Sequence, residues 1–201
     1  PLFLAVIVQS VANLVFHAVV GRALAPAEYG ALGTVLAAMT LVAVPLSALQ
    51  TASARATAVS GLSAQTARTL ILRTVLYASP VVLLLVLAAS PIMAFLHLQS
   101  VWDAVILAPT LLVAALIAVI RGLLLGVARS GLVAGSYIVS TVVRLGPGLG
   151  LAYLYGVTGA LLGTLLGEVC AMLMVAVAVL RAPSGSRAKL SAGDYLRTGV
   201  V

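Results

Sequence analysis

The chain has 201 residues, of which 63% are hydrophobic and 7% charged, and its formal net charge is +7. Soluble globular domains carry about 25% charged residues, so this composition excludes a soluble domain and predicts a protein that lies in a lipid bilayer. A basic excess is typical of the cytoplasmic loops of membrane proteins, and we therefore expect no nucleic-acid partner. The single cysteine, Cys170, excludes a disulfide within the chain and a cysteine metal site.

Long apolar stretches follow one another along the chain. A helix that crosses a hydrocarbon core of about 30 Å needs about 20 apolar residues. Six stretches meet this length, residues 2–21, 31–54, 73–96, 104–126, 132–155 and 158–180. Their hydrophobicity is continuous rather than alternating, which favours helices over membrane strands. The sequence therefore predicts an all-α transmembrane fold, a six-helix bundle over residues 1–181 followed by a cytoplasmic linker over residues 182–201.

Basic residues are concentrated in alternate connections between these stretches. The connections over residues 55–73 and 121–129 and the C-terminal segment over residues 181–197 hold Arg55, Arg68, Arg73, Arg121, Arg129, Arg181, Arg187, Lys189 and Arg197. The remaining connections hold one basic residue, Arg22, and the acidic residues Glu28 and Asp103. Because positively charged loops stay in the cytoplasm, we expect both ends of the chain there, which requires an even number of spans.

Glycines recur at every fourth position in the last predicted span, at Gly159, Gly163 and Gly167. Gly122 and Gly126 with Ser130, and Gly131 with Gly135, repeat this spacing near the fourth and fifth spans. Stripes of small residues allow two helices to approach closely inside a membrane. We therefore expect tight helix packing at both places.

Two charged residues lie deep in predicted spans, Arg144 in the fifth and Glu168 in the sixth. Each is twelve residues from Gly156. That is about 18 Å in a helix, so an antiparallel hairpin would hold both at the same height. A charge at the bilayer centre costs at least about 2.5–3.5 kcal/mol, so such residues pair or face water. We expect either an ion pair between the two helices or a cavity in which Arg144 meets an anionic group.

A polar stripe runs along the first predicted span, where Gln9, Asn13 and His17 are four residues apart. Lipid would penalise these side chains, so they are expected to face the protein interior or an aqueous cavity. Two interpretations remain open at this point. The stripe either forms hydrogen bonds between helices or contacts a polar substrate.

Catalytic signatures are missing from the sequence, which contains no nucleophile elbow, no phosphate-binding loop and no zinc-protease motif. Its four acidic residues are not paired at a catalytic spacing. We therefore expect no enzyme activity, no metal site and no cofactor. The candidate substrate-binding residues are Arg144, Glu168, Gln9, Asn13 and His17.

Three segments together resemble a known family of membrane transporters. They are residues 22–30 with the sequence RALAPAEYG, residues 45–55 with PLSALQTASAR, and residues 121–129 with RGLLLGVAR. The first is similar to the outer-loop pattern R-x-L-G-P-x-E-Y-G of bacterial polysaccharide transporters, with Ala25 in place of the usual glycine. Those proteins form the oligosaccharide flippase family, whose superfamily also contains multidrug exporters and lipid II flippases. The resemblance extends over residues 2–181.

Members of this family carry twelve or more spans in two six-helix lobes, and the chain resembles the N-terminal lobe. The resemblance implies a multi-pass protein of the bacterial cytoplasmic (inner) membrane that works by alternating access. It would flip or export a lipid-linked oligosaccharide carried on polyprenyl pyrophosphate, with Arg144 as the candidate for contacting the pyrophosphate. The loop over residues 21–33 is expected to shape a turn rather than to bind cargo. The chain would be a fragment of a longer transporter or a half-length subunit of a dimer.

Two other functions are weighed against this one. A cation-coupled multidrug exporter would place acidic residues in its cavity, whereas here Glu168 is matched by Arg144. A non-transporting membrane scaffold would gather glycan-assembly proteins, but it would have no need of the polar stripe in the first span. The lipid bilayer is the partner that all three functions share.

Overall fold

A computed structural model describes residues 2–98 and 100–180, which form helices joined by short turns. The helices in these residues are α1 Leu2–Ala23, α2 Pro26–Ser60, α3 Ala64–Leu87, α4 Ala89–Phe95, α5 Val101–Gly126, α6 Ser130–Leu145 and α7 Pro147–Leu180. Five of them, α1, α2, α3, α5 and α7, are long and apolar enough to cross a membrane. The predicted α-helical multi-pass membrane protein is thereby confirmed. The predicted linker over residues 182–201 lies outside the described residues.

Two of the predicted spans are each divided between two helices. The span predicted over residues 73–96 is divided between α3 and α4, with a break at Ala88. α3 also begins earlier than predicted, at Ala64, where the Ser63 side chain accepts a hydrogen bond from the backbone N–H of Thr66. The span over residues 132–155 is interrupted at Gly146, between α6 and α7. Pro147 follows this break, and proline carries no backbone N–H to continue a helix.

A reverse turn divides α7 into two arms. Tyr155 and Gly156 have non-helical dihedral angles, and Gly156 has a φ of 58°, which side chains disfavour. In a straight helix Gly148 and Gly163 would be about 22 Å apart. They instead touch, because a Cβ added to Gly163 would lie 2.5 Å from the Cα of Gly148. The second arm therefore runs back along the first.

α5 is the central helix of the bundle. It packs against α2, α3 and α7 along much of its length, and also against α4 and α6. Most of its apolar stretch is buried by protein, whereas the apolar stretch of α3 is left exposed. α1, α2 and α3 thus present apolar surface around a core helix, as expected of a bundle whose outside faces lipid.

Two glycines bring α2 and α5 into backbone contact. A Cβ added to Gly122 would overlap the carbonyl oxygen of Gln50, and one added to Gly126 would overlap the carbonyl oxygen of Ala54. Gly163 packs against Gly148 in the same way within α7. These contacts agree with the tight packing expected from the glycine spacing, because only a residue without a side chain allows two backbones so close.

Candidate functional site

A buried charged cluster lies where α5, α6 and α7 meet. Arg121 of α5 is only 7% exposed, and its Nε donates a hydrogen bond to Ser136 Oγ at 2.9 Å. Its guanidinium carbon lies 4.0 Å from the centre of the Tyr137 ring, a cation–π contact. Its Nη2 faces Glu168 Oε2 at 3.9 Å. Arg121 is thus held by α6 on one side and by α7 on the other.

Glu168 connects the three helices of this cluster. Its Oε1 accepts a hydrogen bond from Ser140 Oγ on α6 at 3.0 Å, while its Oε2 faces Arg121 on α5. The 3.9 Å separation from Arg121 Nη2 is longer than a hydrogen bond. Among the residues that the structure describes, Arg121 Nη2 is buried without a hydrogen-bond partner. The interaction between Arg121 and Glu168 is therefore electrostatic rather than a hydrogen bond, and Arg121 Nη2 keeps its capacity to donate one.

Arg144 has a different environment from the one expected. The sequence predicts that Arg144 lies at the same height as Glu168. Within residues 2–98 and 100–180, however, Glu168 forms its ion pair with Arg121. The Arg144 guanidinium lies over the ring of Phe16 on α1, 4.9 Å from its centre. Its Nε is buried and makes no hydrogen bond in the described part of the chain. Two residues at equal height can still point in different directions around the helix axis. The Arg144 side chain contacts α1.

The predicted polar stripe lies half-buried along α1. Gln9, Asn13 and His17 are each partly covered, and α1 packs mainly against α6. Asn13 Oδ1 is buried without a partner among the described residues, so it does not form the hydrogen bond between helices that was one interpretation. Phe16, which carries the Arg144 contact, lies next to His17, and their rings meet edge to face. The stripe and Arg144 therefore belong to the same side of the bundle.

A cavity of about 210 Å³ lies between α2, α5 and α7. Its walls are formed by Ala43, Leu46, Ser47, Gln50, Ala114, Ile117, Ala118, Arg121 and Glu168. Of the predicted site residues, Glu168 belongs to this lining, whereas Arg144 and the α1 stripe do not. The structure thus separates the candidates into two groups. One is the cavity with Arg121 and Glu168, and the other is Arg144 with α1.

The loop over residues 21–33 makes structural contacts. Glu28 Oε2 accepts a hydrogen bond from the backbone N–H of Ala25 at 3.0 Å, which caps the N-terminus of α2. Its Oε1 would lie 3.4 Å from a Cβ added to Gly156, so the carboxylate lies close to the turn in α7. The Tyr29 ring packs against Gly21. These contacts are consistent with a loop that shapes a turn.

Replacing Glu28 with Ala should lower the free energy of unfolding by about 1 kcal/mol, because α2 loses its N-terminal cap. Equilibrium unfolding of the purified protein in mixed micelles or bicelles would measure this loss. Arg22→Ala is the matched control, since Arg22 is an exposed charge in the same loop. Equal stability of the two variants would contradict a capping role for Glu28.

Sequence reasoning missed two buried charged residues. Arg121 was assigned to a cytoplasmic connection and Asp103 to an outer one, but both are buried in α5. Asp103 accepts a hydrogen bond from Thr158 of α7. A usable signal was present for Arg121, since it directly precedes Gly122, and residues flanking a close helix contact are covered by the neighbouring helix.

Comparison with protein-family models found no match, and comparisons with curated proteins and with solved structures found no similar protein. The function is therefore argued from the geometry of the chain itself.

Proposed function

We propose that the chain forms one six-helix lobe of a two-lobed alternating-access transporter in the bacterial cytoplasmic membrane. Its cargo is a lipid-linked oligosaccharide carried on polyprenyl pyrophosphate, which it flips or exports. The observation that carries the proposal is a set of three charges inside an apolar bundle, the buried Arg121 with its partner Glu168 and the half-buried Arg144 on the side of α1. Charges at membrane depth are costly and mark the path of a substrate or an ion.

The course of the chain supports a count of six crossings. α1, α2 and α5 each provide one crossing, and α3 with α4 provides another. α6 continues into the first arm of α7 as the fifth, and the second arm returns as the sixth, since Gly148 and Gly163 touch across the turn. An even number of crossings agrees with the distribution of basic residues, which favours both ends in the cytoplasm.

The arrangement of α1 and α2 supports a cavity on the side of the cluster. The two helices are joined at one end by the loop over residues 21–33, yet they share few contacts with each other. α1 packs mainly on α6 and α2 on α5, so they diverge over the helices that carry the charges. A second lobe, from further sequence or from another copy, would close this side.

Arginine is suited to the pyrophosphate that we propose as the anionic part of the cargo. Its planar guanidinium donates two parallel hydrogen bonds to oxygens of one phosphate. Arg144 has an unused, buried Nε within the described residues and is held on an aromatic ring instead of on an acid. It therefore has hydrogen-bonding capacity to give to an incoming anion.

The proposal is favoured over the two alternatives by the balance of these charges. A cation-coupled exporter would need a carboxylate free to attract a cation, but Glu168 already faces Arg121. A scaffold gains nothing from buried charges, which lower its stability.

Replacing Arg144 with Ala should reduce transport at least about tenfold, because the proposed anion contact is lost. The measurement is translocation of a fluorescent polyprenyl-pyrophosphate saccharide in vesicles that contain the whole transporter. Arg22→Ala controls for the loss of one positive charge, and protease protection confirms insertion. Unchanged transport by the Arg144 variant would overturn the assignment. If the Arg144 and Arg22 variants both carry a cationic dye and neither of them loses saccharide flux, the result favours the exporter.

A further inference from the structure

We propose that the cavity between α2, α5 and α7 binds a zwitterionic phosphoethanolamine group, the head group of phosphatidylethanolamine. The phosphate contacts Arg121 and the primary ammonium contacts Glu168. This site goes beyond the proposed cargo, because the ligand is a membrane phospholipid. It rests on the proposed function in one respect, since the proposed topology decides which leaflet supplies the lipid.

The charges in the cavity wall select a ligand of both signs. Arg121 and Glu168 both line the cavity, and their nearest charged atoms are 3.9 Å apart. An anion drawn to the guanidinium is repelled by the carboxylate beside it, and a cation meets the opposite problem. A group that carries a phosphate and an ammonium a few ångströms apart is attracted by both residues at once.

Unused hydrogen-bonding atoms are present on both residues of the charged pair. Within the described chain, the buried Nη2 of Arg121 donates to no acceptor, and Glu168 Oε2 accepts no hydrogen bond, while Oε1 is taken by Ser140. Arg121 is 93% buried, since 7% of it is exposed, so its free donor is not spent on bulk water. A phosphate oxygen and an ammonium proton supply the two missing partners.

The rest of the lining fits the remainder of a phospholipid. Ser47 and Gln50 add polar groups beside the charged pair, and the other lining residues are aliphatic. Ala43 and Ser47 are exposed, so the cavity opens along the outer face of α2. The aliphatic wall would cover the glycerol backbone and the start of the acyl chains.

The depth of the site suits one leaflet. Arg121 lies five residues before Gly126, the last residue of α5, which is about 8 Å along the helix axis. In the proposed topology that end of α5 faces the cytoplasm, so the lipid comes from the inner leaflet.

Lipid selectivity of the purified full chain tests the proposal. The protein would be equilibrated in micelles with phosphatidylethanolamine, phosphatidylcholine or phosphatidylglycerol of the same acyl chains, and bound lipid counted by native mass spectrometry. We expect phosphatidylethanolamine to bind about tenfold more tightly than either other lipid. Phosphatidylcholine carries no ammonium proton for Glu168, and phosphatidylglycerol carries no cation. Equal binding of the three would overturn the proposal without any variant.

Two variants separate recognition from a structural role. Glu168→Gln removes the charge that repels a lone anion, so its preference should change from phosphatidylethanolamine to phosphatidylglycerol. Arg121→Gln should lose affinity for both lipids. Arg22→Gln, outside the cavity, should bind as the native protein does. A Glu168→Gln variant that keeps the native preference would overturn the assignment of the ammonium to Glu168.

Soluble phosphoethanolamine distinguishes the lipid from a free head group. We expect millimolar phosphoethanolamine to leave the bound lipid in place, because it lacks the hydrophobic contacts. Displacement of the lipid would show that the polar group alone is the ligand. Loss of saccharide transport with intact phosphatidylethanolamine selectivity would reject the proposed function and keep this site. Intact saccharide transport without that selectivity would reject this site and keep the proposed function.

Discussion

Replacing Arg121 with Met is expected to lower the free energy of unfolding by about 1–3 kcal/mol, the cost of leaving a partly buried charge without its partner. Glu168, whose side chain is 20% exposed, would keep a single hydrogen bond, from Ser140. The Met side chain has nearly the volume of the aliphatic part of the arginine side chain, so little packing is lost. Unfolding of the variant by a titration of denaturing detergent would measure the difference.

A double-mutant cycle separates the charge from the packing at this site. Changing Glu168 to Gln in the Arg121→Met background removes the orphaned carboxylate and should restore most of the lost stability. Arg22→Met, at an exposed position, serves as the control for loss of a cation. A double variant as unstable as Arg121→Met alone would show that the cluster contributes through packing and not through its charges.

Replacing Gly122 with Leu should destabilise the protein by about 3 kcal/mol or more, at the upper end of the cost of overpacking. A Cβ at this position overlaps the carbonyl oxygen of Gln50 and comes within 2.8 Å of the Ser53 side chain. A backbone carbonyl inside a helix cannot turn away, so α2 and α5 must move apart. The same detergent titration would detect the loss.

Gly131→Leu is the matched control for this substitution. Gly131 lies in the first turn of α6 and is exposed, and a Cβ added there would have no other group of the described residues within 4 Å. Leucine is also the better helix former of the two. We expect its stability to stay within about 0.5 kcal/mol of the native value. Comparable losses at Gly122 and Gly131 would contradict a close α2–α5 contact.

The membrane-spanning character of the chain and its close helix contacts could be predicted from the sequence. Continuous apolar stretches predict helices in lipid, and glycines spaced four apart predicted the faces at which Gly122 and Gly163 pack. The break at Gly146 has a sequence signal in Pro147, which carries no backbone N–H, although the span was predicted as continuous. The break at Ala88 could not be predicted, because hydrophobicity does not change at this residue.

The partner of Glu168 illustrates a second limit of the sequence. Counting residues from Gly156 gives the height of Arg144, but the direction of its side chain depends on how α6 is rotated against α1. Arg121 was not among the candidate site residues because it was assigned to a cytoplasmic connection. Its long side chain nevertheless reaches Glu168 from there, since arginine can extend its charge several ångströms along a helix.

The position of Glu28 beside the turn at Gly156 has a mechanical consequence. The α1–α2 loop lies against the turn of α7, and Leu24 and Val157 belong to the same buried apolar cluster, so both hairpins are packed together at the same end of the bundle. At the opposite end, α1 and α2 have few contacts with each other to break. We therefore expect the gap between α1 and α2 to widen toward the opposite end, where α2 stays packed on α5 and α1 stays packed on α6.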